Sequence, residues 1–162
     1  MDDAVNWLVL AVLAIIAALY DVGPLALWPV APSAVVALAA WCGIKAGDRE
    51  VLPRIWLIGI VTDAVDPGSV IFHAVVLVSS TLVLLPLRRF LFRQSYLAWA
   101  LWAFCLVFML ALFDWGIGGG YPPKGGWDAI IASGTLTAVL VIPLGWLFDV
   151  LPPKIHPLGK NR

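Results

Sequence analysis

The chain is 162 residues long; 62% of it is Ala, Val, Ile, Leu, Met, Phe, Trp, Tyr or Cys, 12% is Asp, Glu, Lys or Arg, and the formal net charge is +0. An average soluble domain carries about 25% charged residues, and ten acidic with ten basic side chains cannot cover a globule of this size, so most of the surface must face lipid. The balanced charge and the absence of a basic stripe exclude a nucleic-acid partner, and the mean hydropathy of +0.99 places the chain among integral membrane proteins.

A membrane-spanning helix needs about 20 mainly apolar residues, and six windows approach that length. The first, Ala4–Tyr20, follows Asp2 and Asp3 where a secretory signal would carry basic residues, so it is expected to be a retained helix. Gly23-Pro24 then breaks the chain before Leu25–Gly43, whose opening prolines Pro29 and Pro32 stand where a missing N–H costs little. The third window, Val51–Val65, is shorter than the hydrocarbon core and contains Asp63, which leaves a re-entrant segment as the alternative to a full crossing. Pro67-Gly68 separates it from Val70–Leu87. Tyr96–Ile117 follows, then a glycine-rich outer loop, then Ala129–Leu151 with Pro143 inside it, where a kink is expected. Residues 152–162 form a short tail.

Loop charges choose between five and six crossings. Lys45, Arg49 and Arg54 follow the second window, Arg88, Arg89 and Arg93 the fourth, and Lys154, Lys160 and Arg162 the sixth; Lys124 alone lies elsewhere. Six crossings with both termini in the cytoplasm put nine of the ten basic residues on that side, as the positive-inside bias demands. If the third window fails to cross, that bias vanishes. The expected fold is therefore an all-α bundle of six transmembrane helices in one integral membrane domain, with the basic exits as cytoplasmic contacts.

Each polar group at membrane depth then needs a use. Asp63 follows Gly59 by four residues, so the two share a helix face, glycine allowing close approach and the carboxylate pointing into the bundle. Two readings stand: a proton- or ligand-responsive carboxylate, or one that caps a neighbouring helix. His73 opens the fourth helix close to Asp63 or Asp66, as a pH-responsive pair or as an interfacial hydrogen bond. Asp114 lies near water at the outer end of the fifth helix. The hydroxyls of Ser79, Ser80 and Thr81, and of Ser133, Thr135 and Thr137, suit helix packing with local bonds to the preceding turn. Cys42 and Cys105 read as apolar core residues without a disulfide. No nucleophile with a base beside it, metal-ligand cluster or phosphate loop occurs in the sequence, so neither an enzyme activity nor a cofactor is expected.

The order Pro29…Pro32, Trp56-Leu-Ile-Gly59-Ile-Val-Thr-Asp63, Pro67-Gly68, His73-Ala74 and Leu87-Arg-Arg-Phe-Leu-Phe92 resembles the rod shape-determining MreD family. Gly59, Asp63, His73 and Ala74 match the family's G-x-x-x-D helix and H-A start; Ile71 stands where the family usually has glycine, and the turn glycine comes one place late. The resemblance covers residues 25–92 by pattern, and 96–151 by length and hydropathy. It implies a non-enzymatic inner-membrane scaffold of the bacterial elongation machinery, partnered with the bitopic protein MreC and, through it, the MreB filament and peptidoglycan synthases. The family's bundle is similar to the substrate-binding subunits of energy-coupling-factor transporters. That similarity implies the alternative, a vitamin-binding transport subunit with Asp63, His73, Asp114 and Tyr121 lining an outward pocket.

Overall fold

The computed structural model describes residues 2–23, 30–66, 72–88, 96–117 and 126–150, which form six helices and no strand. They are α1 (Asp2–Val22), α2 (Ala34–Lys45), α3 (Val51–Val65), α4 (Phe72–Arg88), α5 (Tyr96–Ile117) and α6 (Gly126–Val150). Three helices, α1, α5 and α6, are long and apolar enough to cross a membrane. Their outward residues are apolar too: Leu97 is 78% exposed, Ile117 70% and Leu8 66%. Only a lipid solvent makes such a surface stable, as expected of a membrane protein.

The third and fifth helices occupy the spans expected from hydropathy, and the second does not. Residues 30–33 are not helical, and α2 starts at Ala34, so the expected helix over 25–43 is corrected at its beginning; residues 24–29 lie outside the described residues. Pro32 disfavours helical backbone at Ala31, and Ser33 adopts extended φ −95° and ψ 116° as N-cap. At 12 residues α2 is about 18 Å long. The sixth helix begins three residues earlier than expected, at Gly126, which takes a positive φ of 77°. Pro143 lies inside a helix that runs on through it, exposed on its outer side. Pro86 is likewise inside α4.

Short as it is, α2 is the axis of the molecule. Every residue from Val35 to Ile44 is buried, and α2 touches all five other helices. Those five stand around it in the order α1, α3, α4, α5, α6, each beside the next, while α1 and α6 are not neighbours. The ring is therefore open between α1 and α6. An apolar groove of about 300 Å³ occupies the gap, with Leu13, Ile16 and Tyr20 on one wall, Leu140 and Leu144 on the other, and Ala34 and Leu38 as its floor.

Helices in lipid gain nothing from hiding apolar surface from water, so close packing and internal hydrogen bonds must hold them together. Glycines make room for that packing. A methyl on Gly145 of α6 would fall 2.0 Å from the Trp99 ring of α5, and one on Gly43 of α2 would fall 2.8 Å from the Trp102 indole nitrogen. Trp41 of α2 meets Phe148 of α6 with ring centroids 4.6 Å apart. Cys42 is buried and Cys105 half-buried, both as free thiols.

Successive helices alternate in direction, so the end of α2, the starts of α3 and α5 and the end of α4 share one face of the bundle, the basic end. Lys45 lies over the Trp99 ring at 4.8 Å. Arg54, expected as a surface contact, is only 4% exposed; it bonds Glu50 one turn earlier at 2.8 Å and lies 5.1 Å above the Trp7 ring. That corrects its role to an internal one: a guanidinium at this depth is held by a carboxylate and an aromatic face. Arg49 is exposed, the Arg88 backbone ends α4, and Arg89 and Arg93 lie outside the described residues.

Candidate functional site

The opposite end holds Asp21, Asp63, Asp66 and His73, and its construction begins with helix termini. The first amides of any helix lack intrahelical acceptors, and in a membrane no water supplies them. Two aspartates do so here. Asp21, in the last turn of α1, accepts from the Ser33 hydroxyl at 2.7 Å, the Ala34 amide at 2.8 Å and the Val35 amide at 3.1 Å. Ser33 Oγ in turn accepts from the Val36 amide at 3.1 Å, and the Ala37 amide closes the first backbone bond of α2 onto the Ser33 carbonyl. All the leading amides of α2 are thus satisfied.

Asp63, two residues before the end of α3, performs the same service for α4. Its Oδ1 accepts from the His73 amide at 2.9 Å and lies 3.0 Å from His73 Nδ1, and its Oδ2 accepts from the Ala74 amide at 3.0 Å. Of the two uses that sequence leaves open for Asp63, the structure shows the capping one. The His73 bond is to Asp63 itself. Gly59 makes the reach possible: a Cβ on it would sit 2.3 Å from the Ala74 Cα and 2.7 Å from the Ala74 nitrogen, so backbone meets backbone where α3 crosses the start of α4. A carboxylate also suits the partial positive charge at a helix N-terminus.

The sixth helix braces the first of these joints. Thr137 Oγ1 accepts from the Ser33 amide at 2.9 Å while donating to the Ser133 carbonyl at 2.8 Å, and Ser133 Oγ donates to the Ala31 carbonyl at 2.5 Å. Thr135 bonds its preceding turn, at the Ile131 carbonyl. The expected local bonds are absent in α4: the buried Ser80 and Thr81 hydroxyls have no hydrogen-bond partner among the described residues.

Between the two joints lies a half-open cavity of about 400 Å³, bordered by residues near the ends of α1 to α4 and by α5. Asp21, Ser33, Thr62, Asp66 and His73 supply its polar wall, and Val22, Val35, Val36, Leu77, Val107 and Leu110 the rest. Gly59, Asp63 and His73 are therefore brought together as expected, but among the described residues only His73 of the expected lining residues borders the cavity. Asp114 is exposed near the end of α5 and does not line it, and Tyr121 lies outside the described residues. Asp21 and Asp66 take the places that Asp63 and Asp114 were expected to hold. Asp21 escaped the sequence reading, although Ala17 precedes it by the same four residues that separate Gly59 from Asp63. Among the described residues no group of three or more His, Cys, Asp or Glu side chains is arranged to hold a metal ion.

No family model, curated protein or solved structure matches the chain.

Proposed function

We propose that this protein is a non-enzymatic scaffold of the bacterial inner membrane, acting in cell elongation as the MreD family does. The observation that carries the reading is the work done by the residues behind the resemblance: Gly59, Asp63, His73 and Ala74 form one joint between α3 and α4. Their polar groups are committed to backbone amides of a neighbouring helix, which is the use expected of a structural element rather than of a reaction centre. In this reading all six helices cross, both termini are cytoplasmic, and the basic end faces the cytoplasm under the positive-inside bias. The chain carries no cofactor, and its contacts are made by helix faces and short loops. The open wall between α1 and α6 is the place for the single apolar helix of an MreC-like bitopic partner, through which the MreB filament and peptidoglycan synthases are reached. Leu13 and Leu140, on its two walls, are the residues such a helix would touch.

Depletion in the native bacterium, followed by microscopy, tests the function: rounded or widened cells are expected, and unchanged rods contradict it. Co-purification with the partner should be lost when the partner's transmembrane helix is exchanged for an unrelated one; survival of the complex removes the groove from the account. The cavity between the two joints favours a second reading, a substrate-binding membrane subunit of an energy-coupling-factor type transporter. A vitamin requirement on depletion, with normal cell shape, is its signature.

A further inference from the structure

The helices of the ring are unequal in length, and one bilayer has to meet them all. At 1.5 Å rise per residue, the 22 residues of α5 span about 33 Å and the 25 of α6 about 38 Å, enough for a hydrocarbon core of about 30 Å. Away from them, α3 has 15 residues and spans about 22 Å. Its outward side chains, Pro53, Trp56, Ile60 and Ala64, are exposed and uncharged. Neither end can be lengthened by what flanks it: Asp48 and Arg49 are exposed in the turn before α3, and Asp66 is its C-cap. An aspartate has too short a stem to reach past a deficit of several ångströms, as a long cation can. Nor is α3 free to change its depth. Arg54 in its first turn lies over the Trp7 ring of α1, and Asp63 near its end holds the first amides of α4. Beside it α4, about 26 Å long, continues the same apolar flank with Val75, Leu82 and Val83.

We infer that the α3 flank is a lipid-contact surface matched to a thin bilayer: phospholipids with short acyl chains cover it, and longer ones must compress there. The inference rests on the reading in which all six helices cross. With the helix fixed at both ends, the lipid is the softer partner and takes up the mismatch. The long helices α5 and α6 meet a thin layer by tilting, an adjustment that a helix shorter than the core does not have.

The test uses the purified full-length chain in nanodiscs of dimyristoleoyl, dioleoyl or dierucoyl phosphatidylcholine, in order of increasing thickness. The unfolding midpoint is expected to be highest in dimyristoleoyl lipid and lower by about 5 °C or more in dierucoyl lipid. A maximum in either thicker lipid, as α5 and α6 alone would set, overturns the proposal. A Leu-Ala-Leu-Leu turn inserted between Val65 and Asp66 lengthens α3 by about 6 Å and should move the maximum to dioleoyl lipid, while the same insert after Ile117 of α5 should not. If the inserts do not fold, the native series decides alone. Cross-linking of Ile60→Cys between copies in dioleoyl lipid would place a second copy on the flank and overturn the proposal as well. Labelling of intact cells with an impermeant maleimide tests the crossing separately, the native chain serving as blank for Cys42 and Cys105. Asp66→Cys is expected to react from outside and Arg49→Cys only after lysis. Reaction of both from one side removes the crossing and the inference with it; reaction from opposite sides leaves the lipid series to judge the flank.

Discussion

The joint between α1 and α2 and the joint between α3 and α4 use one device in two settings. In each, an aspartate near the end of one helix accepts the first amides of the next, across a break in the chain. The α3–α4 joint is self-contained. Gly59 lets the two backbones touch, and the His73 ring adds a third bond to the carboxylate. The α1–α2 joint has Ala17 at the position of Gly59, so α1 and α2 do not close on each other in the same way; Ser33 replaces the histidine, and α6 supplies Thr137 and Ser133 as braces. The comparison teaches that a cap fixes where a helix starts, while what lies one turn earlier decides whether the hairpin can hold itself or needs a third helix.

The largest expected effect is Gly59→Val. The new side chain falls on backbone atoms of Ala74 that cannot swing aside, so α3 and α4 must part, at a cost of about 3 kcal/mol or more. Ala17→Val, at the matching position of the other joint, should cost clearly less, and thermal unfolding of the two purified variants measures the difference. Equal losses would mean that the two hairpins are held alike. Next comes Thr137→Val, which deprives the Ser33 amide of its acceptor. About 1–3 kcal/mol is expected from that unsatisfied group, with faster hydrogen exchange at the start of α2 and none of it at the start of α4. Acceleration spread over both helix starts would break the distinction. His73→Ala sharpens it from the other side: the backbone amides still reach Asp63, so a loss of about 1 kcal/mol is expected. Asp114→Ala, at an exposed helix end, should stay within about 0.5 kcal/mol of the native protein.

Much of this was legible in sequence because lipid leaves few solutions. Hydropathy placed α3 and α5, and the four-residue spacing of Gly59 and Asp63 announced a shared face directed at a neighbour. The start of α2 was not legible, since an apolar stretch from Leu25 reads as helix until one sees that Ser33 and Asp21 set the first turn at Ala34. Asp21 itself was hidden by its setting. It sits beside Gly23-Pro24, where an acidic residue resembles an ordinary helix end, and its partners lie 12 to 14 residues on, beyond any helical period. Arg54 misled for a related reason: a cation in a row of loop charges gives no sign in sequence that an aromatic ring and a carboxylate will enclose it. The central position of α2 follows from contacts among all six helices, which no local pattern contains.

The account turns on Asp63 acting as a hydrogen-bond acceptor for the start of α4 rather than as a group that must gain and lose a proton. Replacing it by asparagine and by alanine separates the two roles: asparagine does not titrate and keeps one acceptor oxygen for the His73 or the Ala74 amide while turning a donor to the other, whereas alanine accepts neither. Thermal stability of the purified variants, read beside their ability to restore the depleted bacterium, is the measurement. Asp63→Asn, which loses one of the two backbone bonds, is expected to fall between the native protein and Asp63→Ala in both, with Asp63→Ala less stable than the asparagine variant by about 1–3 kcal/mol and the more defective. An asparagine variant that folds normally yet fails as completely as the alanine variant in the cell would contradict it.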